Sequence, residues 1–103
     1  MSAPKRILMV ASNPAVSERT GWPIGFWWAE LTHPYWEFVE AGYEVTIASP
    51  DGGALVADSF SDPRDASGYS AADILSRGFL ESPTHAALVQ NTPALSDLDH
   101  DSF

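Results

Sequence analysis

Glu30 is the acid in this sequence best placed to do chemistry. It comes after a polar loop, Asn13 to Gly21, and just behind the aromatic run Phe26, Trp27 and Trp28. A carboxyl group held among such rings loses solvation. Its charged form is then disfavoured, its pKa rises, and it can give and take a proton near neutrality. The same spacing also fits a solvated helix residue, because Glu30 projects off the edge of the neighbouring apolar stripe. His33 falls about half a turn from Ile24 on a 3.6-residue helix and reads as a surface or supporting histidine. His85 and His100 have no partners at metal-ligand spacing, so neither is assigned to a metal.

Several chemistries are excluded within these residues. There is no cysteine, hence no disulfide, thiolate metal site or cysteine nucleophile. Gly21 and Gly25 do not form a dinucleotide fingerprint, and no Gly-Lys-Ser/Thr run marks a phosphate loop. Ala11-Ser12-Asn13 lacks the acids that a phosphoacceptor would need after a first strand. A net charge of −9 argues against a nucleic-acid partner, so the four tryptophans read as packing rather than as a stacking platform. At 103 residues there is room for one domain, and 45% apolar with 18% charged residues suits a core-forming chain. No apolar run approaches the roughly 20 residues that span a bilayer. Lys5 and Arg6 lead into the first apolar stretch with no small-residue cleavage site behind it, so no signal peptide is expected. The expectation is a cytoplasmic protein with no membrane partner.

The elements that would position Glu30 follow from the apolar pattern. Arg6 to Ser12 carries four consecutive large apolar residues, which predicts a strand buried on both faces, as in a parallel sheet. Pro23 reads as a first-turn proline. From Ile24 through Trp27, Trp28, Leu31, Tyr35, Phe38 and Val39 the steps of three and four predict one helical face, with Gly42 as its stop. Pro34 interrupts this pattern, so the helix is either irregular at Glu30 or begins later. Tyr43 to Ser49 alternates as a second strand, and a helix between two strands about 30 residues apart makes a parallel βαβ unit. Asp58 to Gly68 reads as loop. Ser70 to Leu80 reads as a helix with Ser70 as N-cap, and Ser82-Pro83 starts another that runs to Asn91.

Two parallel strands cannot bury their own sheet. Residues 1–103 are therefore expected to be the first portion of one larger domain.

The strand Lys5 to Val10, the run Gly25 to Tyr35 with its Glu-Leu-x-x-Pro core, and Ala41-Gly42-Tyr43-Glu44-Val45 through Gly53 resemble the ThiJ/PfpI superfamily. The likeness is to the branch of glyoxalase III enzymes, proposed protein deglycases and heat-shock chaperones. Asn91-Thr92 and Leu95 to Phe103 are similar to the lead-in to that family's next core strand. The resemblance implies an incomplete flavodoxin-like three-layer α/β sandwich, like class I glutamine amidotransferases. It implies that Glu30 matches the family's acid/base glutamate, whose protonated carboxyl bonds a reactive cysteine sulfur. The cysteine attacks a small aldehyde such as methylglyoxal, and the adduct rearranges to a hydroxy acid. No metal or organic cofactor is implied. The nucleophile and its histidine would lie beyond Phe103, on a C-terminal half or partner chain, and a homo-oligomer is compatible with this. The expected function is thus the acid/base half of a glyoxalase III-like lyase or related hydrolase. The alternatives are a non-catalytic chaperone-like protein, a truncated family member, or an unrelated α/β binding domain.

Overall fold

Ile7, Leu8, Met9 and Val10 form the centre of a strand, and the computed structural model, which describes residues 5–13, 18–22 and 25–103, pairs it with one neighbour. The elements run β1 (Arg6–Val10), α1 (Trp28–Glu40), β2 (Glu44–Ala48), α2 (Ile74–Glu81) and α3 (Pro83–Gln90). Short 3-10 turns cover Ser59–Ser61, Leu95–Asp97 and His100–Ser102. β1 and β2 are parallel, in register from Arg6 opposite Glu44 to Val10 opposite Ala48. This is the expected βαβ unit, an incomplete flavodoxin-like α/β arrangement. No helix among the described residues is long and apolar enough to cross a membrane.

The first helix starts later than its apolar pattern suggests. Trp27 is extended at φ −94°, ψ 126°. Phe26 forms a parallel bridge with Ala57, and its carbonyl accepts from the Asp58 N–H at 2.8 Å. Pairing with a distant segment therefore holds 25–27 out of the helix. The expected roles of Pro23 and Ile24 lie outside the described residues. Starting at Trp28 leaves Pro34 inside α1, where its missing N–H deprives the Glu30 carbonyl of its intrahelical donor. Gly42, at φ +91°, ends the helix as expected.

The buried face of α1 is narrower than predicted. It comprises Trp28, Leu31, Thr32 and Tyr35, while Val39 is 38% exposed. Trp28, Leu31, Tyr35, Ile47, Phe79 and Val89 belong to one core. Phe79 is fully buried, meeting the Tyr35 ring edge-on at 5.1 Å and the His85 ring at 5.4 Å. Burial pushes the Tyr35 phenol above its ordinary pKa. The accessible surface is 6624 Å², against roughly 5,700 Å² for a closed monomer of 11.1 kDa.

Thr32 is polar yet completely buried, because α2 brings it a partner. The Asp73 carboxylate accepts from the Ser76 hydroxyl at 2.6 Å, which uses that group's one proton. Thr32 must then donate to Ser76 Oγ, at 2.6 Å. Asp73 also accepts from the Ser76 N–H and lies 2.8 Å from His33 Nε2. The N-cap of α2 is thus Asp73, in place of the expected Ser70, whose hydroxyl donates to the Phe60 carbonyl instead. A carboxylate that collects three donors outcompetes a lone hydroxyl for this position. α3 begins at Ser82-Pro83 as expected.

Burial alone would raise the Asp73 carboxyl, but bonds from Ser76 and His33 outweigh it and hold it below the ordinary range. A carboxyl depressed on folding stabilises above its unfolded pKa, near 3.9, and loses that contribution as pH falls through the folded value. Asp73→Ala is therefore expected to lower stability by about 0.5–2 kcal/mol at pH 7, with the deficit shrinking in acid. Urea midpoints for both proteins between neutral pH and the acid limit of folding check this.

Candidate functional site

Ligands of doubly wound sheets gather beyond the carboxyl ends of the strands, and here that edge is tied together by one side chain. The ladder runs past β1 through the Ala11 N–H, which donates to the Ala48 carbonyl at 3.0 Å. Asn13 then spans to the turn after β2: its Nδ2 donates to the Gly52 carbonyl at 3.3 Å, and its Oδ1 accepts from the Asp51 N–H at 2.6 Å. The Thr92 hydroxyl donates to the Gly53 carbonyl at 2.6 Å, so buried Ser49 donates to Thr92 Oγ1 at 2.7 Å. Positive φ at Gly52 and Gly53 (+75° and +82°) permits this turn.

The start of α1 is fixed with equal care. The Trp28 N–H donates to buried Ser61 Oγ at 3.0 Å, and the Trp27 N–H donates to Glu30 Oε1 at 3.3 Å. Glu30, third residue of the helix, so makes half of a capping box; an indole has no acceptor to complete the other half. A side chain at Gly25 would place Cβ 2.7 Å from the Ala57 carbonyl carbon and the Asp58 nitrogen. Only glycine permits the close approach that sets Phe26 against Ala57.

Between these two anchor points lies a cavity of about 400 Å³, lined by Met9, Val10, Ala11, Ser12, Phe26, Glu30 and Leu31. Its size suits a small ligand. Its lining side chains are apolar except for the Ser12 hydroxyl and the Glu30 carboxyl, and exposed backbone adds further polar surface. Glu30 is thus at the carboxyl end of β1, facing a hollow that opens to solvent. It is exposed, and the expected aromatic enclosure does not form. Of the three rings, only Phe26 shares the cavity; Trp28 turns into the core and Trp27 meets Tyr69 edge-on at 5.8 Å. Successive residues at the start of a helix point in different directions and cannot surround one side chain.

The histidines are elsewhere. His33 is exposed and bonded to Asp73, His85 Nδ1 is 2.7 Å from Ser82 Oγ, and His100 Nε2 is 3.1 Å from the Leu95 carbonyl. Among the described residues no group of three or more His, Cys, Asp or Glu could hold a metal ion. Sequence reasoning missed Ser12 as a lining residue and Asn13 as the clamp. The signal available was their place just after a buried strand. Gly25→Ala is expected to cost about 1–3 kcal/mol through backbone displacement, read as a lower denaturation midpoint.

No family model matches the sequence, and no curated protein matches it either. Solved structures do share its fold. The Rapid Encystment Protein 24 KDa of Francisella tularensis matches over 96% of this chain, with a TM-score of 0.77 and 24% identity. The crystallographic structure of APC35852 matches over 90%, with a TM-score of 0.60 and 30% identity. This chain shares its fold with part of each. The chain spans 41% and 36% of the two, respectively.

Proposed function

We propose that this chain is the N-terminal, acid/base-bearing portion of a cofactor-independent glyoxalase III-like enzyme, acting in the cytoplasm on a small aldehyde such as methylglyoxal. One observation carries the reading: Glu30 lines a small cavity at the carboxyl end of β1. The fold shared with longer ThiJ/PfpI-like structures supports it.

The chemistry needs a thiol that these residues lack. A C-terminal portion would supply a cysteine and its histidine, and the thiolate would add to the aldehyde carbon. The resulting hemithioacetal transfers a proton from its carbinol carbon to the neighbouring carbonyl carbon. Glu30 is the base for the first half of that transfer and the acid for the second. Water then releases lactate and returns the thiol. The apolar side chains of Met9, Val10 and Leu31 suit the aldehyde's methyl group.

A chaperone-like role is the second reading, favoured by exposed apolar side chains. Ile74 is 75% exposed, Trp22 73% and Tyr69 72%. Suppressed aggregation of a client protein, unchanged by Glu30→Gln, would support it.

Lactate formation from methylglyoxal is the direct assay. The chain alone is expected to give none above background. In the protein completed by its C-terminal portion, Glu30→Gln is expected to lower kcat by about 10²–10⁴-fold. Glutamine keeps an oxygen to accept from the Trp27 N–H, so the denaturation midpoint should hold. Turnover by the isolated chain, or full activity of the glutamine variant, would contradict the reading.

A further inference from the structure

Asp51 and Gly52 form the one Asp-Gly step in the chain, in the turn that Asn13 ties to the end of β1. Aspartate followed by glycine is the step at which a backbone most readily attacks its own side chain. The glycine nitrogen can close on the aspartate Cγ, and with no Cβ beside it nothing blocks the approach. Asp51 is exposed. Among the described residues its carboxyl accepts no hydrogen bond and the Gly52 N–H donates none, so neither reacting group is tied up. The two bonds that hold this step both come from Asn13. They engage the Asp51 N–H at 2.6 Å and the Gly52 carbonyl at 3.3 Å, and so restrain the backbone while leaving the reacting atoms free.

Other acids followed by a small residue are held differently. The Asp58 carboxyl accepts from the Phe60 N–H at 2.9 Å, and the Asp65 carboxyl from the Ser67 N–H at 3.1 Å. Asp101 lies within a 3-10 turn. Their successors, Ser59, Ala66 and Ser102, each carry a Cβ beside the nitrogen that would attack.

We infer that Asp51 is a site of isoaspartate formation, with Asn13 as the clamp that limits its rate. Gly52 N bonds to Asp51 Cγ, the carboxyl hydroxyl leaves with the amide proton as water, and a succinimide ring results. Water then adds to the Asp51 backbone carbonyl carbon, and the bond from that carbon to Gly52 N breaks. The chain thereafter runs through Asp51 Cβ and Cγ, and the former backbone carbonyl carbon becomes a free carboxylate. Closing the ring requires Asp51 to rotate against the Asn13 fork, which makes the reaction wait on local opening of the turn.

The turn has no slack for the product. A Cβ on Gly52 would lie 3.1 Å from the Ala94 nitrogen and 3.2 Å from the Thr92 carbonyl oxygen. A backbone lengthened by one carbon must push away from residues 92–94, and one asparagine amide cannot reach both of its partners across the longer step. Isomerisation therefore unfastens the carboxyl edge beside the cavity, whatever reaction takes place there.

The test holds the 103-residue chain at physiological temperature and mildly acidic pH for several weeks. Isoaspartate is counted by methyl transfer with an isoaspartyl methyltransferase and placed by electron-transfer fragmentation. The β-linkage should accumulate at Asp51 well above Asp58 and Asp101, and the aged chain should unfold in less urea than the fresh one. Asn13→Ala should speed the reaction about tenfold, as expected for the loss of a pair of hydrogen bonds. Asp51→Glu, which closes a larger ring far more slowly, should remove both the signal and the ageing. Its fresh urea midpoint should match the parent's, because Asp51 gives the fold only its backbone N–H. Equal β-linkage at Asp51, Asp58 and Asp101, or an unchanged rate in Asn13→Ala, would overturn the inference. Should Asn13→Ala not fold, the parent chain is compared with a free peptide of residues 47–57: slower reaction in the chain supports the clamp, and equal rates contradict it. None of these readouts involves Glu30 or turnover.

Discussion

A parallel pair of strands satisfies every second residue of each member, and the rest must find another neighbour. Both strands keep one such edge among the described residues, and the less covered of the two is β1, whose residues Ile7 to Val10 have the composition of a fully interior strand. Its partner β2 is better covered, with Ile47 and Ala48 buried beneath α1. The cavity beside Glu30, lined by Met9 and Val10 of β1, opens to solvent.

Around that incomplete strand, polar contacts do the positioning. Asn13 fastens the end of β1 to the turn after β2, Ser61 anchors the start of α1, and Glu30 holds the N–H that precedes it. Glu30 therefore has a structural duty independent of any reaction. Its side chain is aimed by the helix start, and the helix start is aimed by residues 56–61 through Gly25 and Phe26. A carboxyl placed by such a chain of contacts is preorganised without being enclosed.

Local patterns made much of this legible. The unbroken apolar run of β1, the alternation of β2 and the glycine at 42 specify the βαβ unit, and Ser82-Pro83 marks α3 unaided. Where the reading failed, the cause was distant in sequence. The helix starts at Trp28 because Ala57 and Asp58 capture Phe26, and nothing near Phe26 announces them. Asp73 displaces Ser70 as a cap because His33, on another helix, adds to its bonds. Thr32 is buried without a local signal because its acceptor, Ser76, comes from another helix. Glu30 was picked out by its family-like setting and does line the cavity. Its aromatic neighbours were misjudged, because adjacency in sequence says little about which rings surround a side chain.

The central claim is that Glu30 is one half of a site whose other half is a thiol. A crystal structure of this chain assembled with its C-terminal portion tests it most directly, through the distance from the Glu30 carboxyl to the nearest cysteine sulfur. The account predicts a sulfur within hydrogen-bonding reach, about 3–3.5 Å, with the carboxyl closed off from bulk water. A Glu30 carboxyl still in open solvent, with every cysteine on another edge of the sheet, would contradict it.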